Sequence, residues 1–356
     1  MKDNHCLIIA AAGTMGHINP GLSFAKLLKK TSPKIKIIFL SLDKNVDQII
    51  KHHNFTYIDE LKTITAIGFS RKNPFKNLRL IKSSFETIKE IRKIYQTTKA
   101  DLVFGMGGFI SGYALKAAQI EKIPYLLHEQ NTTMGLANTL TKRKAQKVFV
   151  SFPKKGRNIK LIGNPRLIEA MEIKPDKQNI KNHIVVMSGS LGAKFINSLI
   201  VDFLKTKESH NYFTTLVTGK KYYEETILAL KDINAKHYEI IPYLPNPLKT
   251  LSDADLLISR SGATTIFEVI GLMIPTIFIP SPNVTKNHQY KNAMYLKKEG
   301  AGVILLEREA TLEHLNKLIK QTISNAIIIK NLKQQQLKYY ELLKQIDWNE
   351  YFEKNN

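Results

Sequence analysis

The sequence predicts an α/β protein of two doubly wound, Rossmann-like domains. Two observations predict this fold class: short β-branched runs alternate with amphipathic stretches, and the alternation starts again halfway along the chain. Such alternation is typical of a parallel sheet covered by helices on both faces. The length of 356 residues fits two cores of ordinary size better than one.

The first half contains apolar runs that we interpret as buried strands, separated by stretches with a helical period. The predicted strands are 6–11, 36–42, 101–105, 124–128 and 147–151, and the predicted helices include 21–30 and 111–120. These elements predict a first domain over residues 1–165.

A polar segment containing Pro175 follows Gly163-Asn164-Pro165, and we interpret residues 166–182 as a linker. The strand pattern then restarts and predicts a second domain over residues 183–330. Its predicted strands are 183–187, 214–218, 239–242, 256–259, 276–280 and 302–306. Residues 331–356 have a helical period, and we expect them to pack back on the first domain.

Composition excludes several classes of protein. The single cysteine, Cys6, allows no intramolecular disulfide and no cysteine cluster for a metal. The N-terminus does not have the pattern of a signal peptide, and no run approaches the roughly 18–20 apolar residues that span a bilayer. We therefore expect a protein of a reducing compartment that is neither exported nor integral to a membrane.

The net charge of +23 has three interpretations: nucleic acid, an anionic membrane surface, or a general bias toward lysine. Lysine, asparagine and isoleucine are abundant throughout, which favours a general compositional bias as the source of much of the excess positive charge. No zinc-finger spacing, RNA-binding aromatic signature or basic tail is present, so nucleic acid is the weakest of the three.

One segment, residues 64–85, mixes apolar and basic side chains in a way that suits a boundary between anionic headgroups and acyl chains. The alternative is an ordinary amphipathic helix packed on its own domain, and the pattern alone favours that alternative. The candidate membrane patch consists of Ile67, Phe69, Phe75, Leu78, Ile81 and Phe85.

The first glycine-rich turn, Gly13-Thr14-Met15-Gly16-His17, follows the first predicted strand. Its glycines permit tight turns, and a helix begun by Pro20 would present free N–H groups to an anion. The turn lacks both the dinucleotide-binding glycine spacing and the Walker lysine. His17 could accept a proton from a sugar hydroxyl, although a lone histidine is more often structural.

A second turn, 188–193, follows the first strand of the second half. Small residues there would let a phosphate approach the backbone, and Ser190 adds a hydroxyl donor. Ligands of doubly wound sheets bind at the carboxyl ends of strands, so two facing domains would bring both turns to one cleft.

Two further clusters in the second half carry polar side chains. Residues 259–268 cross from a strand into a helix, and Glu268 lies one turn beyond Thr264, where a carboxylate could accept hydrogen bonds from hydroxyls. Gln289 stands near the start of a later helix, where an amide can bind hydroxyls or a base edge. Taken singly, each of these polar groups more often caps a helix or lies on the surface than binds a ligand.

In the first half, Gly105-Met106-Gly107-Gly108 ends a strand and implies close backbone approach. His128 and Glu129 end the next strand and are further acid–base candidates, with buried structural hydrogen bonds as the alternative. Arg166, after Gly163-Asn164-Pro165, could reach a diphosphate.

Together and in this order, these segments resemble the MurG family of bacterial peptidoglycan glycosyltransferases, within glycosyltransferase family 28. The motifs that match in family order are Gly13-Thr14-x-Gly16-His17, Gly105-Met106-Gly107-Gly108, His128-Glu129-Gln130-Asn131, Gly163-Asn164-Pro165, the Ser190 turn, Arg260-Ser261-Gly262-Ala263 through Glu268, and Gln289-Tyr290-x-Asn292-Ala293. The match spans nearly the whole chain.

The resemblance implies a GT-B fold, with two Rossmann-like domains facing a central cleft, and an inverting transfer of N-acetylglucosamine from UDP-GlcNAc to the 4-hydroxyl of lipid I, forming lipid II. His17, then His128 and Glu129, are the candidates for the base. The implied substrate-binding residues are Gly13, Thr14, Met15, Gly16, Asn131, Arg166, Ser190, Leu244, Arg260, Ala263, Thr264, Thr265, Ile266, Phe267, Glu268 and Gln289.

The resemblance also implies partners and a place in the cell. The partners are UDP-GlcNAc, undecaprenyl-diphosphate-linked MurNAc-pentapeptide and an anionic membrane, with no nucleic acid, no cofactor and no metal. The enzyme would be peripheral on the cytoplasmic face of the inner membrane and serve peptidoglycan synthesis, and so cell shape and division. Residues 64–85 correspond to the family's membrane-facing patch.

Three departures from the family's pattern all concern first-domain contacts. Met15 replaces a usual glycine, Phe109 stands where a tyrosine is common, and Arg166 follows Pro165 one residue early. Two alternatives to the transferase stay open: an epimerase-like enzyme that hydrolyses UDP-GlcNAc without a lipid acceptor, and a non-enzymatic nucleotide-sugar binding protein.

Overall fold

The computed structural model describes residues 5–42, 56–65, 74–175, 180–189, 191–233 and 235–352, with the backbone alone for residues 74–82 and 235. The chain forms two compact units. The first comprises Met1–Pro165 and Leu342–Asn356, and the second comprises Arg166–Glu341.

The first unit contains a parallel sheet of seven strands within the described residues. The strands are β1 (Cys6–Ala11), β2 (Lys36–Ser41), β3 (Glu60–Thr63), β4 (Leu102–Gly107), β5 (Tyr125–Glu129), β6 (Lys147–Val150) and β7 (Ile159–Leu161), and the helices are α1 (Met15–Thr31), α2 (Pro74–Thr98), α3 (Gly108–Glu121) and α4 (Leu136–Thr141). The spatial order is β3-β2-β1-β4-β5-β6-β7. Strands β1 and β4 are buried along their whole length, as expected for a sheet covered on both faces.

The second unit repeats this plan with six described strands. Its strands are β8 (His183–Met187), β9 (Phe213–Val217), β10 (Tyr238–Ile241), β11 (Leu256–Ser259), β12 (Thr276–Phe278) and β13 (Val303–Ile304), and its helices are α5 (Arg166–Met171), α6 (Lys194–Leu204), α7 (Tyr223–Ala229), α8 (Pro247–Ser252), α9 (Ala263–Leu272), α10 (His288–Lys298), α11 (Leu312–Thr322) and α12 (Ala326–Lys344). The spatial order is β10-β9-β8-β11-β12-β13. In each sheet the strand order reverses beside the first strand, and ligands of doubly wound folds bind at such points.

The α/β fold class predicted from the sequence is confirmed in both units. The prediction missed β3 and β7, because these short edge strands are only half-buried and have no continuous apolar run. It also placed two helix starts too late. Helix α1 begins at Met15 and contains Pro20, and α3 begins at Gly108, so both glycine-rich turns are shorter than expected.

The segment predicted as a linker, residues 166–182, begins with a helix of the second unit. Helix α5 packs closely on α9: a Cβ added at Gly271 would lie 2.6 Å from the Cβ of Ala170 and 2.9 Å from the carbonyl oxygen of Leu167. The polar composition of residues 166–182 did not reveal this contact. On α9 the contact is made at Gly271, which has no side chain.

Candidate active site

The first candidate turn connects β1 to α1 at the carboxyl edge of the first sheet. Gly13 has a φ of +105°, and Thr14 is the N-cap of α1. Gly13 and Thr14 are exposed, whereas Met15 and Gly16 are half-buried. The first turn of α1 thus begins at the edge where a doubly wound sheet binds anionic ligands.

His17 lies in this first helical turn, and its imidazole packs against the end of β4. A Cβ added at Gly107 would overlap Nδ1 of His17 and lie 2.9 Å from its Cε1, and Gly107 has a φ of +114°. A Cβ at the next residue, Gly108, would overlap the carbonyl oxygen of Ala12. The two glycines therefore let the β4–α3 turn approach the β1–α1 turn and the His17 ring closely.

His128 is completely enclosed in the first unit. Its Nε2 lies 2.9 Å from the carbonyl oxygen of Gly163 and 3.3 Å from Ser151 Oγ, and its buried Nδ1 has no hydrogen-bond partner among the described residues. Burial lowers the pKa of His128 to about 4, the bond to Gly163 opposes this shift, and the nearby His17 lowers the pKa further. A buried neutral ring of low basicity is a poor proton acceptor for a substrate, so the structure gives His128 a role in joining β5 to the segment after β7.

Glu129 is buried, and backbone and side-chain donors surround its carboxylate. Oε1 accepts a hydrogen bond from the Asn131 N–H at 3.0 Å, and Oε2 accepts from the Gly135 N–H at 2.8 Å and from Asn138 Nδ2 at 2.9 Å. The carboxylate therefore organises the turn before α4, which contains the half-buried Asn131, and is not placed as a free base. Of the three predicted catalytic residues, His128 and Glu129 are thus held by their own hydrogen bonds, and the assignment of His17 as the base stays a prediction.

The second candidate turn connects β8 to α6, and Ser190 in it lies outside the described residues. Gly189 and Gly192, on either side, have φ values of +90° and +73°. A Cβ added at Gly192 would overlap the Thr218 carbonyl oxygen, and one at Gly219 would lie 2.5 Å from the Leu191 carbonyl oxygen. The turns after β8 and β9 thus interlock at one sheet edge.

Two neighbouring turns bring further groups to this edge. Lys220 follows Gly219 and forms no ion pair within the described part of the chain; its Nζ lies 5.9 Å from the ring centroid of Tyr243. Leu244, one of the substrate-binding residues that the resemblance implies, is half-buried directly after Tyr243. The sequence analysis did not single out Lys220, although its position beside Gly219, after a buried strand, was a usable signal.

Helix α9 begins at Ala263 with Gly262 as its N-cap, and the first turn contains several predicted contact residues. Thr264 and Glu268 are buried polar residues, and Thr265 is half-buried. Ile266 and Phe267 are fully buried in the core, with the ring of Phe267 4.9 Å from that of Tyr339. The side chains of Ile266 and Phe267 therefore point into the core of the second unit.

Arg260 and Gln289 hold the turns around the start of α9. Arg260 Nη1 donates to the Ile279 carbonyl at 2.9 Å and pairs with Glu307 Oε1 at 2.6 Å, so its charge is already neutralised. Gln289 Oε1 accepts from the Ser281 N–H at 2.8 Å, which orients its amide. The resemblance assigned both to substrate; the amide nitrogen of Gln289 and the remaining N–H groups of Arg260 are the donors suited to that role.

Arg166 is buried and paired with two carboxylates. Its Nε lies 2.9 Å from Glu268 Oε1, and its Nη1 lies 2.7 Å from Glu169 Oε2. Burial opposes the charge, but the two carboxylates outweigh it and raise the pKa of Arg166 above its ordinary value. The sequence predicted that Arg166 reaches a diphosphate and Glu268 a hydroxyl; the structure joins these two side chains to each other.

The predicted membrane patch is described only in part. Ile67 and Phe69 lie outside the described residues, and the side chains of Phe75, Leu78 and Ile81 are not described, while Phe85 on α2 is 69% exposed. No helix within the described residues is long and apolar enough to cross a bilayer. The described residues also contain no group of three or more His, Cys, Asp and Glu side chains that could hold a metal ion.

Comparison with known proteins identifies the family. Residues 7–150 match the glycosyltransferase family 28 N-terminal domain, and residues 183–346 match its C-terminal domain. A relative from Acetivibrio thermocellus, named UDP-N-acetylglucosamine–N-acetylmuramyl-(pentapeptide) pyrophosphoryl-undecaprenol N-acetylglucosamine transferase, is 33% identical over 96% of this chain and 98% of its own length. A relative of the same name from Oenococcus oeni is 34% identical over 92% of this chain and 91% of its own length.

A solved structure supports the fold. The crystal structure of Acinetobacter baumannii MurG has a TM-score of 0.68 at 24% identity and covers 96% of this chain and 100% of that one. Its likeness bears on architecture, whereas the sequence matches cover both halves of the chain. The chain belongs to glycosyltransferase family 28.

Proposed function

We propose that the chain transfers N-acetylglucosamine from UDP-GlcNAc to the 4-hydroxyl of MurNAc in undecaprenyl-diphosphate-linked MurNAc-pentapeptide. The observation that carries the proposal is the match over nearly the full length to relatives named for this reaction. The second unit would bind the donor, and the first unit would supply the acceptor contacts and the base.

The proposed donor site uses the carboxyl edge of the second sheet. The start of α9 and the interlocked turns at Gly192 and Gly219 present backbone N–H groups for the diphosphate, and Lys220 supplies an exposed cation on the adjoining turn. Glu268 and Gln289 would bind hydroxyl groups of the nucleotide sugar. Charge on the departing UDP would be stabilised by these groups without a metal ion, so a chelator should leave turnover unchanged.

The proposed reaction is a single displacement with inversion. The acceptor's 4-oxygen forms a bond to the anomeric carbon of the donor, the bond from that carbon to the diphosphate oxygen breaks, and UDP leaves with the electron pair. His17 takes the proton from the 4-hydroxyl. In support, the His17 ring is half-buried at the carboxyl edge of the first sheet, held against Gly107, while His128 and Glu129 are occupied elsewhere.

A replacement of His17 by alanine tests the assignment of the base. We expect turnover to fall by roughly 10²–10⁴-fold with UDP affinity unchanged, because general-base catalysis contributes about that much and His17 does not belong to the unit proposed to bind UDP. Turnover within a few-fold of the unsubstituted protein would remove His17 from the role.

We also propose peripheral association with the anionic cytoplasmic face of the inner membrane. In support, Phe85 is exposed, and α4, which carries the exposed Leu136 and Leu140, is followed by the basic run Lys142, Arg143 and Lys144. Apolar side chains beside basic ones suit such a surface. Co-sedimentation with vesicles containing anionic lipid, and none with neutral vesicles or at high salt, is the expected result.

The activity itself is tested by incubating the purified protein with UDP-GlcNAc, with and without a lipid I analogue. Release of UDP only when the analogue is present, with formation of the disaccharide, is expected. UDP release without an acceptor would support the epimerase-like alternative, and binding without release in either case would support a non-enzymatic binder.

A further inference from the structure

Arg166 and Glu268 form a charged contact enclosed in the second unit. The contact joins Arg166 Nε and Glu268 Oε1 at 2.9 Å, and the two side chains are only 8% and 5% exposed. In a buried ion pair each charge compensates the other, and removing one partner leaves an uncompensated charge away from water. Its geometry is therefore a fixed property of the fold.

The packing of α5 on α9 brings the two residues together. Arg166 is the first residue of α5, and Gly271 of α9 allows the helices to touch at Ala170. Glu169, one turn farther along α5, accepts from Arg166 Nη1 at 2.7 Å and holds the guanidinium from its other side. The Glu169–Arg166–Glu268 network thus links α5 to the first turns of α9.

This arrangement leaves the two oxygens of Glu268 in different states. Oε1 accepts the bond from Arg166, whereas Oε2 accepts no hydrogen bond from the described residues. A carboxylate fixed through one oxygen presents the other in a defined direction, which lowers the entropy lost when a ligand hydroxyl binds. Two carboxylates already neutralise the guanidinium, so Arg166 is poorly suited to bind a diphosphate directly.

We propose that Arg166 is a positioning residue, which holds Glu268 so that its second oxygen binds a ribose hydroxyl of the donor nucleotide, and that Arg166 does not bind the diphosphate. The inference rests on the proposed function, in which UDP-GlcNAc is the donor. It makes the buried network a determinant of ribose recognition.

The test compares the affinities of the full-length protein for UDP, 2′-deoxy-UDP and 3′-deoxy-UDP by calorimetry. We expect the unsubstituted protein to prefer UDP over at least one deoxy nucleotide by roughly 10-fold, the value of one hydrogen bond to a charged group. In the Arg166→Met and Glu268→Gln variants, the affinity for UDP should fall toward the affinity for the deoxy nucleotide. The affinity for the deoxy nucleotide itself should change little. The double variant should be no worse than the worse single variant, because both remove one contact.

Two further variants serve as controls. Arg166→Lys keeps the charge without the planar fork, and we expect an intermediate preference for UDP, which gives a readout if Arg166→Met folds poorly. Arg308→Met removes an arginine whose side chain is 80% exposed, and it should leave all three affinities unchanged.

Opposite outcomes are distinguishable. An equal fall in the affinities for UDP and both deoxy nucleotides in Arg166→Met or Arg166→Lys, with the preference for UDP intact, would show direct diphosphate binding and overturn the inference. A lack of preference in the unsubstituted protein would also overturn it while leaving UDP as a ligand. Absence of UDP binding by that protein would overturn the proposed function itself.

Discussion

Single contacts decide which polar residues at the two sheet edges are available for chemistry. In the first unit, His17 packs on Gly107, while the charged or titratable groups that end β5 are enclosed by their own hydrogen bonds. A side chain that is already hydrogen-bonded loses those bonds if it turns to a substrate, and each lost bond in a buried site costs about 1–3 kcal/mol. Burial and bonding thus separate the candidate base from its neighbours.

Gly107→Ala tests the packing of His17. The added methyl group overlaps the imidazole, so we expect turnover to fall by about 10²-fold and the free energy of unfolding to fall as well. In a His17→Ala background the overlap disappears; the same substitution should then cost at least about 1 kcal/mol less stability and cause no further loss of turnover. Urea unfolding and steady-state kinetics of the four proteins measure both, and additive effects would contradict the contact.

The buried neutral His128 predicts a pH dependence of stability. Its pKa is about 4 in the folded protein and near 6.5 when unfolded, so the unfolded state binds the proton first as pH falls. The contribution of His128 to the free energy of unfolding is fully present above pH 6.5. It declines between pH 6.5 and 4, by about 3 kcal/mol in total.

The comparison with His128→Gln isolates this contribution, because glutamine can still donate a hydrogen bond to Gly163 and does not titrate. The unsubstituted protein should lose more stability than the variant between pH 7 and pH 4.5. Unfolding of the first unit can be followed through Trp348, the single tryptophan of the chain. Parallel pH profiles would show that folding does not lower the pKa of His128.

At the scale of elements, the conformation of several turns is fixed by a few buried groups and not by the sequence of the turn alone. Glu129 accepts two hydrogen bonds from the turn before α4 and one from Asn138 of α4, and the turns after β8 and β9 interlock through Gly192 and Gly219. These turns are the segments that would meet a ligand. A turn that is fixed by buried contacts loses less conformational entropy when it binds a ligand.

Glu129→Gln distinguishes a structural carboxylate from a catalytic one. An amide nitrogen would face a backbone N–H donor, so we expect the free energy of unfolding to fall by about 1–3 kcal/mol. The acid limb of the pH–turnover profile should stay at the same pH, because Glu129 is not the group that titrates in the reaction. Glu90→Gln, at an exposed site on α2, is the matched control and should change neither quantity. A displaced acid limb would restore Glu129 as a base.

At the scale of the whole molecule, Leu342–Asn356 belongs to the first unit although it follows the second in sequence, whereas residues 331–341 belong to the second unit. Trp348 is buried there, with its ring centroid 4.6 Å from that of Phe24 and 5.2 Å from that of Phe149. The first core is thus completed by residues from the end of the chain. Its stability depends on α12, which crosses from the second unit to the first.

Trp348→Ala measures this dependence. Loss of a large buried ring should lower the stability of the first unit by about 3–5 kcal/mol, and Trp348→Phe should lower it less. Leu337→Ala, at a position that is 51% exposed on α12, should change stability by no more than about 0.5 kcal/mol. Calorimetry of the full-length proteins resolves the transitions; a loss below about 1 kcal/mol in Trp348→Ala would contradict a core role.

The sequence by itself determined the fold class, most of the strands and the family. Buried parallel strands such as β1 and β11 are continuous apolar runs, and glycine-rich turns after them are local features that a linear pattern contains. The motifs also located the segments of the site, from the turn at Gly13 to Gln289.

Only the tertiary structure decided which residues in those segments are available to act. The pairing of Arg166 with Glu268 depends on how α5 packs on α9, and the enclosure of His128 depends on a carbonyl 35 residues away. The half-buried edge strands β3 and β7 likewise acquire their pairing from neighbours and not from an apolar run of their own. Spacing along a chain indicates which groups come near a sheet edge. The charge and reactivity of those groups are set by desolvation and hydrogen bonding, and these arise from contacts between distant residues.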